Sequence, residues 1–111
     1  MNQRIEILVL QVLATCMRIT AAGRYAARFD FDADNLCLNC HVLASAPVEE
    51  RREASVAAFQ ARLLFRHYMY LDDMSGSLDP DEARAKKVCD DLEGLLNKLL
   101  AFHPDASGVA A

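Results

Sequence analysis

FDFDADNLCLNCHVLA, residues 29–44, is the stretch whose reading decides the fold. Its first half alternates Phe and Asp, which gives no helical face. Asp and Asn accept hydrogen bonds from nearby backbone N–H groups and so favour turns and caps. The segment 29–35 therefore reads as the end of a first helix. Asp34 is then the N-cap of a short helix from Asn35 to about Ala44. Leu36, Cys37, Cys40 and Leu43 form its inward face, at amphipathic spacing, with Asn39 and His41 outward.

Before this stretch, Asn2 to about Arg28 carries helical periodicity. Ile5, Leu8, Val12, Cys16, Ile19, Gly23 and Ala26 step by three and four. Arg4, Gln11, Thr15 and Arg18 form a narrow polar stripe. Ile7, Val9, Leu10 and Leu13 widen the apolar side beyond what one core contact needs. A helix this apolar is usually covered on more than one side. A second copy of the chain is the expected cover, with Ile7 and Leu10 as the expected interaction surface.

After it, Pro47 falls near N1 of a third helix running to about Leu71. Glu49, Glu50 and Glu53 suit its N-terminal dipole. DDMSGS, residues 72–77, reads as a loop. The last helix has the clearest start: Asp79 as N-cap, Pro80 at N1 and Glu82 at N3. Its seam is Val88, Leu92, Leu95, Leu99 and Phe102, flanked by Cys89 and Leu96. Pro104 stops it. The expectation is an all-α fold, an antiparallel helical bundle of three long helices and one short connecting helix, as a single domain over 1–104 with a frayed tail at 105–111.

Composition bounds the function. A chain of 111 residues, 53% hydrophobic, can build one core. Only four glycines and three prolines argue against an all-β domain. A net charge of −4 argues against nucleic acid as the partner. Arginine outnumbers lysine, which occurs only at Lys86, Lys87 and Lys98, suggesting a GC-rich, bacterial coding sequence. The N-terminal apolar run is interrupted by Glu6 and Gln11, so neither a signal peptide nor a membrane span is expected. Cytoplasmic residence follows.

CLNCH, residues 37–41, is the one stretch that looks like chemistry. The pattern of Cys37, Cys40 and His41 is that of covalent haem attachment. The same thiols would serve a redox pair at a helix N-terminus, or give three metal ligands that Cys16, Cys89 or His67 would have to complete. Against these stands the plain reading that Cys37 and Cys40 are core, as Cys16 and Cys89 are on their own helix faces. His67 reads as a boundary residue and His103 as a helix C-terminal one. Arg51, Arg52, Arg62 and Arg66 read as a solvated face. Asp72–Asp73 and Asp90–Asp91 lack a partner that would tune them for acid–base work.

The sequence points to a non-catalytic protein acting through protein–protein contact, as a homodimer, with no cofactor, no metal and no catalytic residue. The alternative is a cofactor or thiol protein using Cys37, Cys40 and His41.

Overall fold

Residues 29–44 are most of a β-hairpin, and the chain is not a helical bundle. The computed structural model describes residues 3–32, 34–46, 55–71 and 82–103. Helix α1 (Gln3–Ala21) leads into strands β1 (Tyr25–Asp32) and β2 (Cys37–Ala44). A short helix α2 (Val56–Arg62) runs directly into β3 (Leu63–Tyr70), and helix α3 (Glu82–Leu99) follows, closed by a 3-10 turn over Leu100–Phe102. The three strands form one antiparallel sheet in the order β1-β2-β3. The class is α+β.

The first helix ends at Ala21, short of the expected Arg28, because of Gly23. That residue takes φ +83°, the left-handed conformation that closes a helix at little cost in glycine. Its N–H bonds the Thr20 carbonyl at 3.0 Å while Ala22 bonds Arg18 at 3.1 Å. Beyond it the sequence period is two. Tyr25, Ala27 and Phe29 pack against the core, whereas Arg28, Asp30 and Asp32 are exposed.

The hairpin turn is organised by Asp32 rather than Asp34. One Asp32 oxygen accepts from the N–H groups of Asp34 and Asn35, and the other accepts from the Asn35 side chain at 2.7 Å. Leu36 then takes φ 49°, which costs a non-glycine residue about 1–2 kcal/mol. Its carbonyl is held by the Leu71 N–H at 2.7 Å.

Among the described residues, the expected third helix survives only as α2. Ser55 caps it, its side chain accepting from the Ala58 N–H at 3.0 Å. From Leu63 the backbone is extended, and Phe65, His67 and Met69 alternate with the exposed Arg66, Tyr68 and Tyr70. A register irregularity beside Val42 and Leu43 makes Leu64 the odd residue of this pairing. The expected caps at Asp79 and Pro80, the stop at Pro104, the loop at 72–77, the start at Pro47 and the tail lie outside the described residues.

Helices α1 and α3 cover one face of the sheet. Ile5, Leu8, Val12, Cys16 and Ile19 of α1 meet Val88, Leu92, Leu95 and Leu99 of α3 over Leu38, Cys40, Val42 and Met69. The expected seam of the last helix is thus its buried face, with Cys89, Leu96 and Phe102 half-buried beside it. Helix α2 sits on the opposite face of the sheet, at its Leu43–Ala44 end, where the Arg62 Nε donates to the Ala44 carbonyl at 3.0 Å. Being covered from both sides explains why β2 has no clean alternation of burial.

Candidate functional site

The central strand carries every residue of the CLNCH stretch, and strand geometry splits them. Successive side chains point to opposite faces. Leu38 and Cys40 join the helical core, whereas Cys37, Asn39 and His41 face the other way. Register sets each of the three between two neighbours: His41 between Arg28 and Arg66, Asn39 between Asp30 and Tyr68, Cys37 between Asp32 and Tyr70.

This row is polar and largely covered. Phe59 of α2 meets the His41 ring edge to face, and the Arg28 guanidinium lies 5.4 Å from the Phe59 ring centre. His41 is 8% exposed. Burial holds its pKa below the ordinary imidazole value, with Arg66 and Arg28 acting the same way and Asp30 opposing. Asn39 Oδ1 and His41 Nδ1 are buried without a hydrogen-bond partner among the described residues. At the open end, hydrogen bonds with Cys37 and then Tyr70 hold the Tyr68 phenol above its ordinary pKa. The Tyr68 and Tyr70 rings meet edge to face, 5.5 Å between centroids.

The chemistry open to this row is limited by its spacing. Cys37 and His41 stand four residues apart along one strand, about 13 Å at 3.3 Å per residue, so the imidazole cannot activate the thiol. Cys37 and Cys40 are about 10 Å apart along the strand and open onto opposite faces. A disulfide needs Cα atoms within about 7 Å. Covalent haem needs both thiols on one side of the chain with the histidine placed to reach the iron. The residues present fit neither group. Among the described residues no three His, Cys, Asp or Glu side chains gather as a metal site.

The thiol that Cys40 does meet belongs to Cys16. Their sulfurs lie 3.6 Å apart, between α1 and β2, at 3% and 0% exposure. All four cysteines are free thiols. The contact shifts the pair in opposite senses: Cys40 hydrogen-bonds Cys16 and lowers its pKa, and that bond together with burial pushes Cys40 up. Sequence periodicity put Cys16 on an apolar face, as found. Its partner was hidden because residues 35–44 read as a helix.

The second feature is the outer face of α1. Ile7 is 42% exposed, Leu10 63%, Leu13 36% and Met17 64%. Three to four residues separate successive members, so they form one stripe on the side away from the core. Glu6 and Arg18, both exposed, border it. Ile7 and Leu10 are where sequence reasoning looked for an interaction surface. Met17 was missed, although its spacing from Leu10 and Leu13 signals it. Thr15, expected in the polar stripe, is buried and donates to the Gln11 carbonyl at 2.7 Å.

The remaining candidates are scattered. His67 lies opposite Cys40 on the helical face, its Nε2 buried without a partner among the described residues. Burial and Lys98 lower its pKa while Asp91 opposes. Arg62 is half-buried and donates to the Ala44 carbonyl, whereas Arg66, paired with His41 in the register, is exposed as a solvated face requires. Asp90 and Asp91 are exposed on α3, and His103 follows the 3-10 turn. Arg51, Arg52, Asp72 and Asp73 lie outside the described residues. No known protein family, curated protein or solved structure matches this chain.

Proposed function

We propose that this chain is a non-catalytic interaction protein that pairs with a second copy of itself through the outer face of α1. The observation that carries the reading is the exposed stripe of Ile7, Leu10, Leu13 and Met17 on a helix whose other face is fully used. The stripe also suits self-pairing. Ile7 and Met17 are equidistant from Val12, as are Leu10 and Ala14. An antiparallel two-fold contact sets Ile7 against Met17 of the second copy and Leu10 against the smaller Ala14. Glu6 and Arg18 then form a polar rim. The non-catalytic half of the reading is supported by the central strand, whose thiol and imidazole are too far apart to act together.

The proposal takes the cytoplasm as the compartment. No helix of the described residues is long and apolar enough to cross a membrane.

Sedimentation velocity over a micromolar concentration series tests the pairing. Wild type is expected to move from monomer to dimer. Leu10→Glu and Met17→Glu are expected to stay monomeric with unchanged circular dichroism, because both side chains face solvent, and to melt at the temperature of dilute, monomeric wild type. Wild type that remains monomeric across the series, or a dimer indifferent to both substitutions, overturns the reading.

A further inference from the structure

We propose that Cys16 and Cys40 are a disulfide-forming pair, oxidised by a hydroperoxide, that ties α1 to the central strand. The sulfurs already touch at 3.6 Å, across 24 positions of sequence. A bond of about 2.05 Å requires them to close by about 1.5 Å, a movement within reach of side-chain torsion and a small shift of α1 on the sheet. No other pairing competes on geometry. Cys37 lies on the far face of the sheet, and Cys89 sits half-buried on α3.

The chemistry balances with hydrogen peroxide as oxidant. The Cys16 thiolate attacks one peroxide oxygen, the O–O bond breaks, and one water leaves, converting Cys16 to a sulfenic acid. The Cys40 sulfur attacks the Cys16 sulfur, and a second water departs with the sulfenic oxygen and the Cys40 proton. Two thiols lose two protons and two electrons, and the peroxide becomes two waters. Either sulfur can act first, because each thiol can donate its hydrogen bond to the other and stabilise the opposite thiolate, and the step is the same with the two exchanged. A dithiol reductant reverses the step by exchange.

Burial sets the kinetics. With both sulfurs almost unexposed, the oxidant reaches them only when α1 opens from the sheet. Oxidation is therefore slow in the native state and faster under mild, sub-denaturing urea. The product is a closed ring from Cys16 to Cys40 that restricts the unfolded chain and raises the melting temperature by on the order of 10 °C. The inference stands apart from self-pairing, since Cys16 is on the inner face of α1 and the bond lies within one chain.

The test treats the reduced full chain with hydrogen peroxide, blocks free thiols with an alkylating agent in denaturant, and reads intact mass and linked peptides without reduction. The expected result is a monomeric chain lacking two hydrogens, a Cys16–Cys40 linked peptide, and alkylated Cys37 and Cys89. The Cys37→Ser, Cys89→Ser double variant is expected to lose two hydrogens as well. If that variant does not fold, the wild-type peptide map decides alone. Four alkylated thiols, a link through Cys37 or Cys89, or a Cys16–Cys40 link that appears only above the unfolding midpoint overturns the proposal.

Discussion

His41 and Phe59 meet edge to face, with ring centroids 5.5 Å apart and planes at 84°. This contact seats α2 on the second face of the sheet, and Arg28 braces it from β1. It also dries the imidazole. The covered end of the polar row and the open end at Tyr68 and Tyr70 differ for this reason, although both belong to the same strands.

A pH dependence follows from that burial. His41 and His67 both have folded-state pKa values below the ordinary 6.5, in each case with burial as the largest cause. The unfolded chain therefore binds more protons near that pH than the folded one. Their contribution to stability is present in full above about pH 7 and is lost as pH falls through 6.5 toward the folded values. Urea midpoints are expected to drop between about pH 7 and pH 5, and His41→Gln and His67→Gln each to flatten the slope. Asp32, held down by Asn35, acts in the same direction only nearer 3.8, so the windows separate. Phe59→Ala is expected to return the His41 titration, followed by NMR, toward 6.5. It should cost about 1–2 kcal/mol, less than a fully buried Phe. Midpoints that are flat or rise on acidification would contradict this account.

The two described glycines make a paired prediction of opposite sign. A Cβ added at either would meet nothing within 4 Å, so packing does not enter. Gly23 has φ +83°, and Gly23→Ala is expected to destabilise by about 1 kcal/mol. Gly94 lies inside α3 with ordinary helical backbone, and Gly94→Ala is expected to stabilise by about 0.5–1 kcal/mol. Denaturant melts of the two variants read both. Equal shifts would mean that the chain does not turn at Gly23.

The α1 and α3 faces were legible because three-to-four spacing of Leu, Ile and Val is a strong signal where one face is buried. The strands were not, for reasons visible in their residues. In β1 the alternation of Phe29, Asp30, Phe31 and Asp32 is a strand signal, but four residues of it resemble a turn rich in Asp. In β2 the helices cover Leu38, Cys40 and Val42, α2 covers the other face at His41, and Cys37 and Leu43 are buried on that face too, so no period survives. In β3 the exposed positions carry Leu64, Tyr68 and Tyr70, which mask the alternation, and Leu, Arg and Met favour helices. Gly23 fits the three-to-four spacing of Ile19 and Ala26 although it is the residue that ends the helix. The candidate site suffered with the fold. Ile7 and Leu10 needed only the helix, whereas the Cys16–Cys40 contact needed β2 to be a strand.

Native-state thiol labelling gives an order that this packing dictates. Cys89 is half-buried, Cys37 is 7% exposed, and Cys16 and Cys40 are covered by α1 and the sheet. Under a slow maleimide, mass spectrometry is expected to find Cys89 modified first, Cys37 next, and the Cys16–Cys40 pair last, at the rate of α1 opening. Early labelling of Cys40 would mean that β2 does not present it to the helices.

Leu38 and Asn39 decide between strand and helix for the stretch on which the fold turns. As a helix over 35–44, the segment would point Leu38 outward, and Leu38→Ala would change stability by no more than about 0.5 kcal/mol. As β2, it buries Leu38 completely between α1, α3 and the sheet. Leu38→Ala is then expected to cost about 2–5 kcal/mol through lost transfer energy and the cavity left behind. Asn39→Ala behaves differently. Its Oδ1 is buried without a partner among the described residues, so removing it deletes an uncompensated desolvation of about 1–3 kcal/mol. That gain offsets the packing lost, and the substitution is expected to be near neutral. Urea unfolding of the two single variants is sufficient. A large loss at Leu38 with little at Asn39 is the signature of the strand, and a neutral Leu38→Ala would restore the helix.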